Sequence, residues 1–508
     1  MAEVSRTARV IQNAKVALFF YCINLILQFF SRKIFLDYLG AELLGLNTTA
    51  QNLLQFLNLA ESGIGMAVAF ALYKPLSQKN RQEIIDIVSL QGWLYRWVGL
   101  FVIAGSIVLM AFFPWIFAKA DVPLVYAYGT FVAFLISALL GYFINYKMIV
   151  LSADQKEYKI TIENQSVKVI KVFIQMWAIW QLPHGYVWWM VLEVLGTIII
   201  SIRLNYCVKR EYPWLKTNIA KGKELSESYP FLVKKTKQLF FHKLGGYVLG
   251  QTTPLVVYAF TSLTMVSIYG NYLLIMTGCL LLVNAFFRGV DAGVGNLVAL
   301  EEKAKIKQVF WQLLTLRLFL AGLVCSGIWL LSESFVKLWV GQEYVLSSLP
   351  TAILTTTYFI QMTRNSDVFL SAYGLFHDIW APVIESLLNI SLSCVFGFFM
   401  GITGIFLGVL VSQLIIINTW KVYFLYKDGF QDSFTEYIAL YTKKILILLV
   451  TCFVISFLME DKCIDGFLAW GVSALEVIMF YTLVASVLFC LFDSSFREII
   501  RRVYYRLM

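Results

Sequence analysis

Long apolar segments separated by short polar ones run along the whole chain. Each apolar segment is long enough for an α-helix to cross a hydrocarbon core of roughly 30 Å. The segments are continuous, unlike the alternating segments of about ten residues that build membrane β-barrels. The pattern predicts an all-α polytopic membrane protein with about fourteen transmembrane helices. Their predicted ranges are 16–36, 43–73, 84–113, 123–150, 160–180, 185–207, 239–263, 266–299, 308–331, 349–373, 379–399, 402–426, 444–459 and 467–492.

Composition excludes the alternative that 508 residues form several soluble domains. Hydrophobic residues make up 59% of the chain and charged residues 14%, against about 25% charge in soluble domains. Arg6 and Arg9 precede the first apolar segment, as in a signal peptide, but that segment has full spanning length and no small-residue cleavage pattern. We therefore expect an uncleaved first helix. The eight cysteines lack metal-type spacing and are expected to be buried small hydrophobes.

The positions of Lys and Arg predict the orientation of the helices. With the N-terminus inside, 28 of the 41 Lys and Arg residues fall in cytoplasmic segments and five in outer segments. This asymmetry follows the positive-inside rule and places both termini in the cytoplasm. The net charge of +10 is therefore explained by topology and by attraction to the lipid bilayer, so no nucleic-acid partner is expected.

One motif occurs twice in the chain. The segment Glu61–Gly65 matches Asp291–Gly295 at a separation of 230 positions, and flanking residues match at the same separation. Six predicted helices separate the copies, so both cross the membrane in the same direction, which predicts a parallel repeat. A weaker echo ends helices 4 and 10, where Leu-Ser-Ala occurs at 151–153 and at 370–372.

The repeat predicts two six-helix lobes followed by two additional helices. The longest loop is basic and too short for a folded catalytic domain, so it is expected to link the lobes. The predicted boundaries are an N-terminal lobe at 1–207, a cytoplasmic linker at 208–238, a C-terminal lobe at 239–426, and two extra helices with a basic cytoplasmic tail at 427–508.

The repeated motif places a carboxylate and two glycines inside apolar helices, where all three are costly. Glycines permit a kink or close helix packing, and repeat-matched breaks indicate a transport site. A structural hinge or gate, a cation- or proton-coupling role and direct substrate contact remain open interpretations. The residues concerned are Glu61, Gly63, Gly65, Asp291, Gly293 and Gly295.

Cationic side chains within the predicted spans are candidates for lining a substrate cavity. Lys168 and Lys171 lie three residues apart and share a helix face. Charges at such depth usually face the protein interior and mark a pathway, although long side chains also snorkel to headgroups. Arg32 and Lys33 are alternatively interfacial anchors, and Arg288 precedes Asp291 closely enough for a local ion pair.

Two acidic residues within spans are candidates for ion coupling. Glu193 and Glu385 have no obvious partner in sequence, and either could titrate and couple transport to Na⁺ or H⁺. Hydrogen-bonded structural acids are the alternative. The sequence contains neither a P-loop nor a catalytic constellation, so we expect no enzyme, no cofactor and no catalytic or metal-binding residue.

Helices 1 and 2 resemble a known family. Arg32–Gly40, Leu44–Asn47, Leu57–Gly65 and Leu72–Leu76 are similar to the start of the Wzx-type polysaccharide flippases of the MOP superfamily. The resemblance implies twelve core helices in two lobes, often with two more, and alternating access in the bacterial inner membrane. It also implies translocation of undecaprenyl-diphosphate-linked oligosaccharide from the inner to the outer leaflet for surface polysaccharide biosynthesis, with polysaccharide polymerase machinery as a partner.

Two other functions are alternatives to this interpretation. A MATE-like exporter coupled to cations would share the fold but favour an acidic lumen, whereas cations are at least as prominent here. An integral-membrane polysaccharide polymerase or ligase should carry a large outer loop with catalytic residues, which this sequence lacks. A lumen with Arg and Lys suits an anionic diphosphate-sugar headgroup.

Overall fold

The computed structural model describes residues 6–61, 63–375, 378, 380–459 and 464–507, with side chains for 9, 11–59, 61, 63–232, 234–236, 251–288, 290, 293–375, 378, 380–459 and 464–502. In these residues all regular secondary structure is helical, which confirms the predicted class. The α-helices are α1 (Arg6–Asn58), α2 (Ile64–Ser77), α3 (Arg81–Ala111), α4 (Phe113–Ile116), α5 (Leu124–Phe143), α6 (Ile149–Ala153), α7 (Glu157–Gln181), α8 (Gly185–Glu211), α9 (Gly222–Ser228), α10 (Pro230–Phe260), α11 (Leu263–Leu300), α12 (Lys303–Trp339), α13 (Ser348–Met362), α14 (Ser366–Ala372), α15 (Trp380–Gln413), α16 (Lys421–Phe424), α17 (Phe434–Met459), α18 (Phe467–Phe492) and α19 (Ser494–Leu507).

Helix α1 contains two predicted transmembrane helices joined at a break. Its 53 residues would extend about 80 Å if they were straight, far more than a membrane needs. Gly40 interrupts it with a φ of 80° and a ψ of 170°, which are not helical values. The chain turns back beyond this break, because Arg9 of α1 and Lys74 of α2 line the same cavity.

Helix α15 contains a second such break, at Gly401, where φ is 57° and ψ is −135°. The Ser393 hydroxyl donates to the Ile405 carbonyl at 3.1 Å, so residues on the two sides of the break face each other. A Cβ added to Gly404 would collide with the carbonyl oxygen of Phe396. The two halves therefore form a tight antiparallel hairpin, which requires glycine where the backbones approach.

These breaks reconcile the predicted helix count with the observed helices. Nine helical stretches in the described part of the chain are long and apolar enough to cross a membrane. Two of them, Ile11–Asn58 and Trp380–Phe430, each contain two predicted helices. The other three predicted helices are present as α7, as α10 and as the α13–α14 pair. The architecture of about fourteen membrane helices is confirmed.

The chain folds into two compact units, Met1–Ser267 and Ile268–Met508. Helix α10, the predicted helix 7, packs against α1 and α2 and belongs to the first unit. The repeat had assigned this helix to a lobe that starts at residue 239. The contacts between helices divide the chain after Ser267, whereas the sequence repeat predicts a lobe that starts at residue 239. The two boundaries differ because the apolar pattern of a helix does not specify which helices pack against it.

Four segments that the charge pattern assigns to the cytoplasm meet at one end of the first unit. Arg9, Lys74, Lys156 and Trp214 come from the N-terminus and from the loops after helices 2, 4 and 6, and all four line one cavity. Only an alternating path of the helices brings these segments together. The predicted alternation is therefore present in this unit, while its side of the membrane stays a prediction from charge.

The second unit shows the same alternation. Lys307, after helix 8, forms ion pairs with Asp432 and Glu436 of the segment after helix 12. Gln312 donates to Glu498 of the C-terminal tail at 2.6 Å. Three of the segments predicted to be cytoplasmic in this half thus share one face.

The two Leu-Ser-Ala sequences end their helices with the same backbone geometry. The Lys156 amide donates to the Leu151 carbonyl at 2.8 Å, and the Leu375 amide donates to the Leu370 carbonyl at 3.0 Å. In each cap the residue before the donor has a positive φ, 58° in the first unit and 70° in the second. Both are Schellman caps. The repeat therefore extends to the ends of the predicted transmembrane helices 4 and 10, which are α6 and α14 in the structure.

A buried ion pair attaches the two extra helices, α17 and α18, to α12. The Lys444 ammonium pairs with Asp493, and both side chains are buried. Lys444 also donates to the Thr315 hydroxyl of α12 at 2.7 Å. The second Asp493 oxygen accepts from the Phe496 amide at 2.8 Å, at the start of α19.

Candidate substrate and coupling sites

The first copy of the repeated motif lies at the break between α1 and α2, within the second predicted transmembrane helix. A 3₁₀ turn at Leu59–Glu61 precedes Gly63, whose φ of 107° is left-handed and favours glycine. The Tyr95 hydroxyl donates to Glu61 Oε1 at 2.7 Å. Gly65 is helical and faces the same hydroxyl, since a Cβ there would lie 3.5 Å from it. The first copy thus bends the chain, and Glu61 is a hydrogen-bond acceptor within the bend.

The second copy lies in an unbroken helix, so the two copies differ in backbone conformation. Helix α11 continues from Leu263 to Leu300, and neither Gly293 nor Gly295 has a positive φ. A Cβ added to either glycine would meet nothing within 4 Å, so these glycines serve neither a bend nor close packing here. Glycine permits a break without enforcing one. The side chain of Asp291 lies outside the described residues.

Lys171 and Glu193 form an ion pair inside the first unit. The Lys171 ammonium lies 2.7 Å from each carboxylate oxygen of Glu193, and the two side chains are 11% and 16% exposed. Gln175 donates to the same carboxylate at 3.1 Å. The interpretation of Glu193 as an unpaired acid is therefore wrong, because Lys171, on the preceding helix in sequence, neutralises it.

Lys168 extends this pair into a polar stripe along α7. Gln165, Lys168, Lys171 and Gln175 recur every three or four residues and so share one face of the helix. Gln165 accepts a hydrogen bond from Asn24 of α1 at 3.1 Å, and Lys168 is exposed. The prediction that both lysines share a face is confirmed, whereas their contact with a substrate stays a prediction.

The two cations at the end of helix 1 that is predicted to face outward have different surroundings. Arg32 Nη2 donates to the Ser267 carbonyl at 2.9 Å, so this guanidinium joins α1 to the start of α11. Lys33 lies 3.2 Å from Asp37 one helical turn away, with both side chains about half exposed. Lys33 therefore fits the interfacial anchor better than the lining of a deep cavity.

A second charge cluster lies in the second unit. Asp367 pairs with Arg364, one helical turn before it, and with Lys421 at the start of α16, each at 2.7 Å. Glu385 of α15 is 4% exposed. It interacts electrostatically with both cations and with Asp367. Two cations and two carboxylates thus lie together, with Glu385 buried and the other three side chains partly exposed. Arg288, the remaining cation candidate, is exposed on α11.

The sequence identified most of the charged residues in these clusters but not the residues that they contact. Tyr95 had no signal, because a tyrosine in an apolar helix is common. Lys421 donates to Asp367 from 54 positions away, so no local pattern connects the two residues. Among the described residues no group of three or more His, Cys, Asp and Glu side chains could hold a metal ion.

Membrane helices broken at glycines and carrying buried ion pairs are typical of membrane transporters. No protein-family model and no curated protein matches the chain. Its structure is similar to that of the lipid II flippase MurJ in an inward closed conformation, with 18% sequence identity, a TM-score of 0.66, and coverage of 96% of this chain and 100% of that chain.

The structure is also similar to an inward-facing multidrug resistance MATE family transporter of the MOP superfamily. The identity is 11%, the TM-score is 0.60, and the match covers 81% of this chain and 96% of that chain. These likenesses show that the chain folds like these two proteins, which confirms the predicted fold class. Both neighbours are named as a flippase or a transporter, not as enzymes.

Proposed function

We propose that this protein is a flippase that moves an undecaprenyl-diphosphate-linked oligosaccharide from the inner to the outer leaflet by alternating access. The observation that carries the proposal is the Lys168–Lys171 pair on α7, inside a chain with the fold of a lipid II flippase. Lys171 lies about 21 Å along that helix from its start at Glu157. Cations at such depth attract an anionic diphosphate that must cross the hydrocarbon layer.

The ion pair allows Lys171 to change its anionic partner. Without substrate, Glu193 neutralises Lys171 and limits the cost of a buried charge. A diphosphate that approaches Lys168 offers Lys171 a second anionic partner, so binding exchanges one ion pair for another. The bend at Gly63 would serve as the gate on the face predicted to be cytoplasmic.

Coupling to Na⁺ or H⁺ is proposed for the cluster of Glu385. This carboxylate is buried and balances Arg364 and Lys421 together with Asp367. Taking up a proton or a sodium ion there changes the net charge of the cluster by one. Glu385→Gln should abolish the dependence of export on the ion gradient while the protein stays folded. Unchanged gradient dependence would exclude Glu385 as the coupling residue.

We place the protein in the bacterial inner membrane with both termini in the cytoplasm, where it would supply polysaccharide polymerase machinery. Deletion of the gene should cause lipid-linked oligosaccharide to accumulate in the inner leaflet and disappear from the outer one. Labelling of the glycan on intact and on permeabilised cells measures the two pools. Normal display in the outer leaflet, without inner accumulation, would contradict the flippase proposal.

Variants then test the lysine pair directly. Lys168→Ala/Lys171→Ala should reduce export to the level of the deletion strain, with the protein still present in the membrane. The matched control is Lys216→Ala/Lys221→Ala, which removes two exposed cations from the loop after helix 6 and should leave export unchanged. Full export by the first variant would remove both lysines from the site.

The similarity to a multidrug transporter supports one alternative, a cation-coupled exporter of small molecules. Such a protein should protect cells from cationic drugs and should leave lipid-linked oligosaccharide unaffected. Measuring drug susceptibility in the same deletion strain separates the two functions. The two lysines within α7, Lys168 and Lys171, favour an anionic substrate over a cationic one.

A further inference from the structure

A cavity of about 1190 Å³ opens at the end of the first unit where the predicted cytoplasmic segments meet. Five cationic and two acidic side chains line it. The cavity lies away from Lys171 and Glu193, neither of which lines it. Its charged lining residues are Arg9, Lys74, Lys79, Arg81, Asp154, Lys156 and Glu211.

Part of this lining is electrically balanced. Asp154 pairs with Arg9 at 3.1 Å and with Lys156 at 2.8 Å, and Lys156 also pairs with Glu211 at 3.1 Å. The buried Tyr212 hydroxyl donates to Asp154 at 2.7 Å. Burial raises the pKa of the Asp154 carboxyl, but the hydrogen bonds from Lys156 and Tyr212 outweigh it and hold that pKa below its usual range. Two cations and two acids thus form a rigid, neutral part of the cavity.

The positive excess comes from the last turn of α2, the turn that follows it and the start of α3. Lys74, Lys79 and Arg81 of this stretch line the cavity, and no acidic side chain of the stretch does. Arg81 also lies over the ring of Trp214, 5.4 Å from its centroid. The lining therefore carries three more cationic than acidic side chains.

The geometry points to a site for the phosphate group of an anionic phospholipid headgroup. Clustered Lys and Arg next to the cytoplasmic ends of membrane helices attract anionic lipid headgroups. Tyr73 and Trp214 in the lining are residue types that lie at the level of headgroups. A guanidinium binds phosphate oxygens in pairs, and the volume accommodates a headgroup rather than one ion. This site does not depend on the proposed transport function.

Binding of phosphatidylglycerol to the purified full-length protein in neutral detergent tests the proposal. The wild type should retain phosphatidylglycerol but not phosphatidylcholine when the complexes are measured by native mass spectrometry. Lys74→Gln/Lys79→Gln/Arg81→Gln should weaken phosphatidylglycerol binding by at least about tenfold, because each cation near a membrane surface contributes substantially. Unchanged affinity in this variant would overturn the proposal.

The matched control removes three exposed lysines from the loop after helix 6, outside the cavity. Lys216→Gln/Lys221→Gln/Lys223→Gln should change the affinity by less than about twofold, because these residues do not line the cavity. An equal loss in both triple variants would show general surface attraction and would contradict a defined site.

Inorganic diphosphate distinguishes a lipid from a soluble ligand. It should compete with phosphatidylglycerol on the wild type, since both present phosphate oxygens. Diphosphate binding without any phosphatidylglycerol binding would overturn the lipid assignment. If the triple cavity variant is unfolded in a thermal melt, Lys74→Gln and Lys79→Gln are used singly, and each should weaken lipid binding about threefold.

Discussion

The Lys171 ammonium lies 2.7 Å from both carboxylate oxygens of Glu193, between two helices that are consecutive in the chain. Neither residue had a partner in the linear pattern, because they are 22 positions apart. Their pairing turns two separate candidates, one for substrate binding and one for ion coupling, into a single unit. A change to either residue must therefore be interpreted through the other.

Breaking this pair should destabilise the protein more than removing it. Lys171→Met leaves the Glu193 carboxylate without its cation and should cost about 3 kcal/mol of unfolding free energy. Lys171→Met/Glu193→Leu removes both charges and should recover most of that loss, as seen in the melting temperature in detergent. If the double variant is no more stable than the single one, the pair is not the source of the effect.

The two copies of the repeated motif should respond differently to the same substitution. Gly63→Ala forces a side chain into a left-handed φ and should cost about 1–2 kcal/mol. Gly293→Ala lies in a continuous helix with open space around it and should be neutral or stabilising by up to about 1 kcal/mol. Melting temperatures of the two variants measure this. Equal destabilisation by both would contradict the observed difference between α2 and α11.

Removal of Lys444 should release the two extra helices from α12. Lys444→Ala leaves the buried Asp493 without its cation and should cost about 3–5 kcal/mol. The control Lys305→Ala breaks the exposed pair with Glu301 and should cost at most about 1 kcal/mol. The melting temperature, and limited proteolysis of the chain between α12 and α17, measure the loss of this attachment. Similar effects of both variants would argue against a special role of the buried pair.

The Asp154 network should make stability depend on pH on the acid side. Because the folded pKa of Asp154 is lowered, its contribution is fully present above the unfolded value of about 3.9 and is lost as pH falls through the folded pKa. The deficit of Asp154→Asn relative to wild type should be constant from about pH 5 to 8 and vanish in stronger acid. A deficit that grows toward low pH would contradict this sign.

The apolar pattern and the Lys and Arg positions were sufficient to predict the class, the number of membrane helices and the alternation of their ends. These properties follow from local rules, because each helix must be apolar over the thickness of the bilayer and each cytoplasmic loop carries positive charge. The repeat at 61–65 and 291–295 and the caps at 151–156 and 370–375 are local for the same reason.

Tertiary structure decided which side chains meet and which glycines bend the chain. Glu193 meets Lys171, Tyr95 meets Glu61, and a cavity forms from four separate segments, none of which is adjacent in sequence. Gly63 breaks its helix and Gly293 does not, although the two motifs match, because a glycine only lowers the cost of a bend. The packing around each helix decides whether that bend is used, and packing depends on residues far away along the chain.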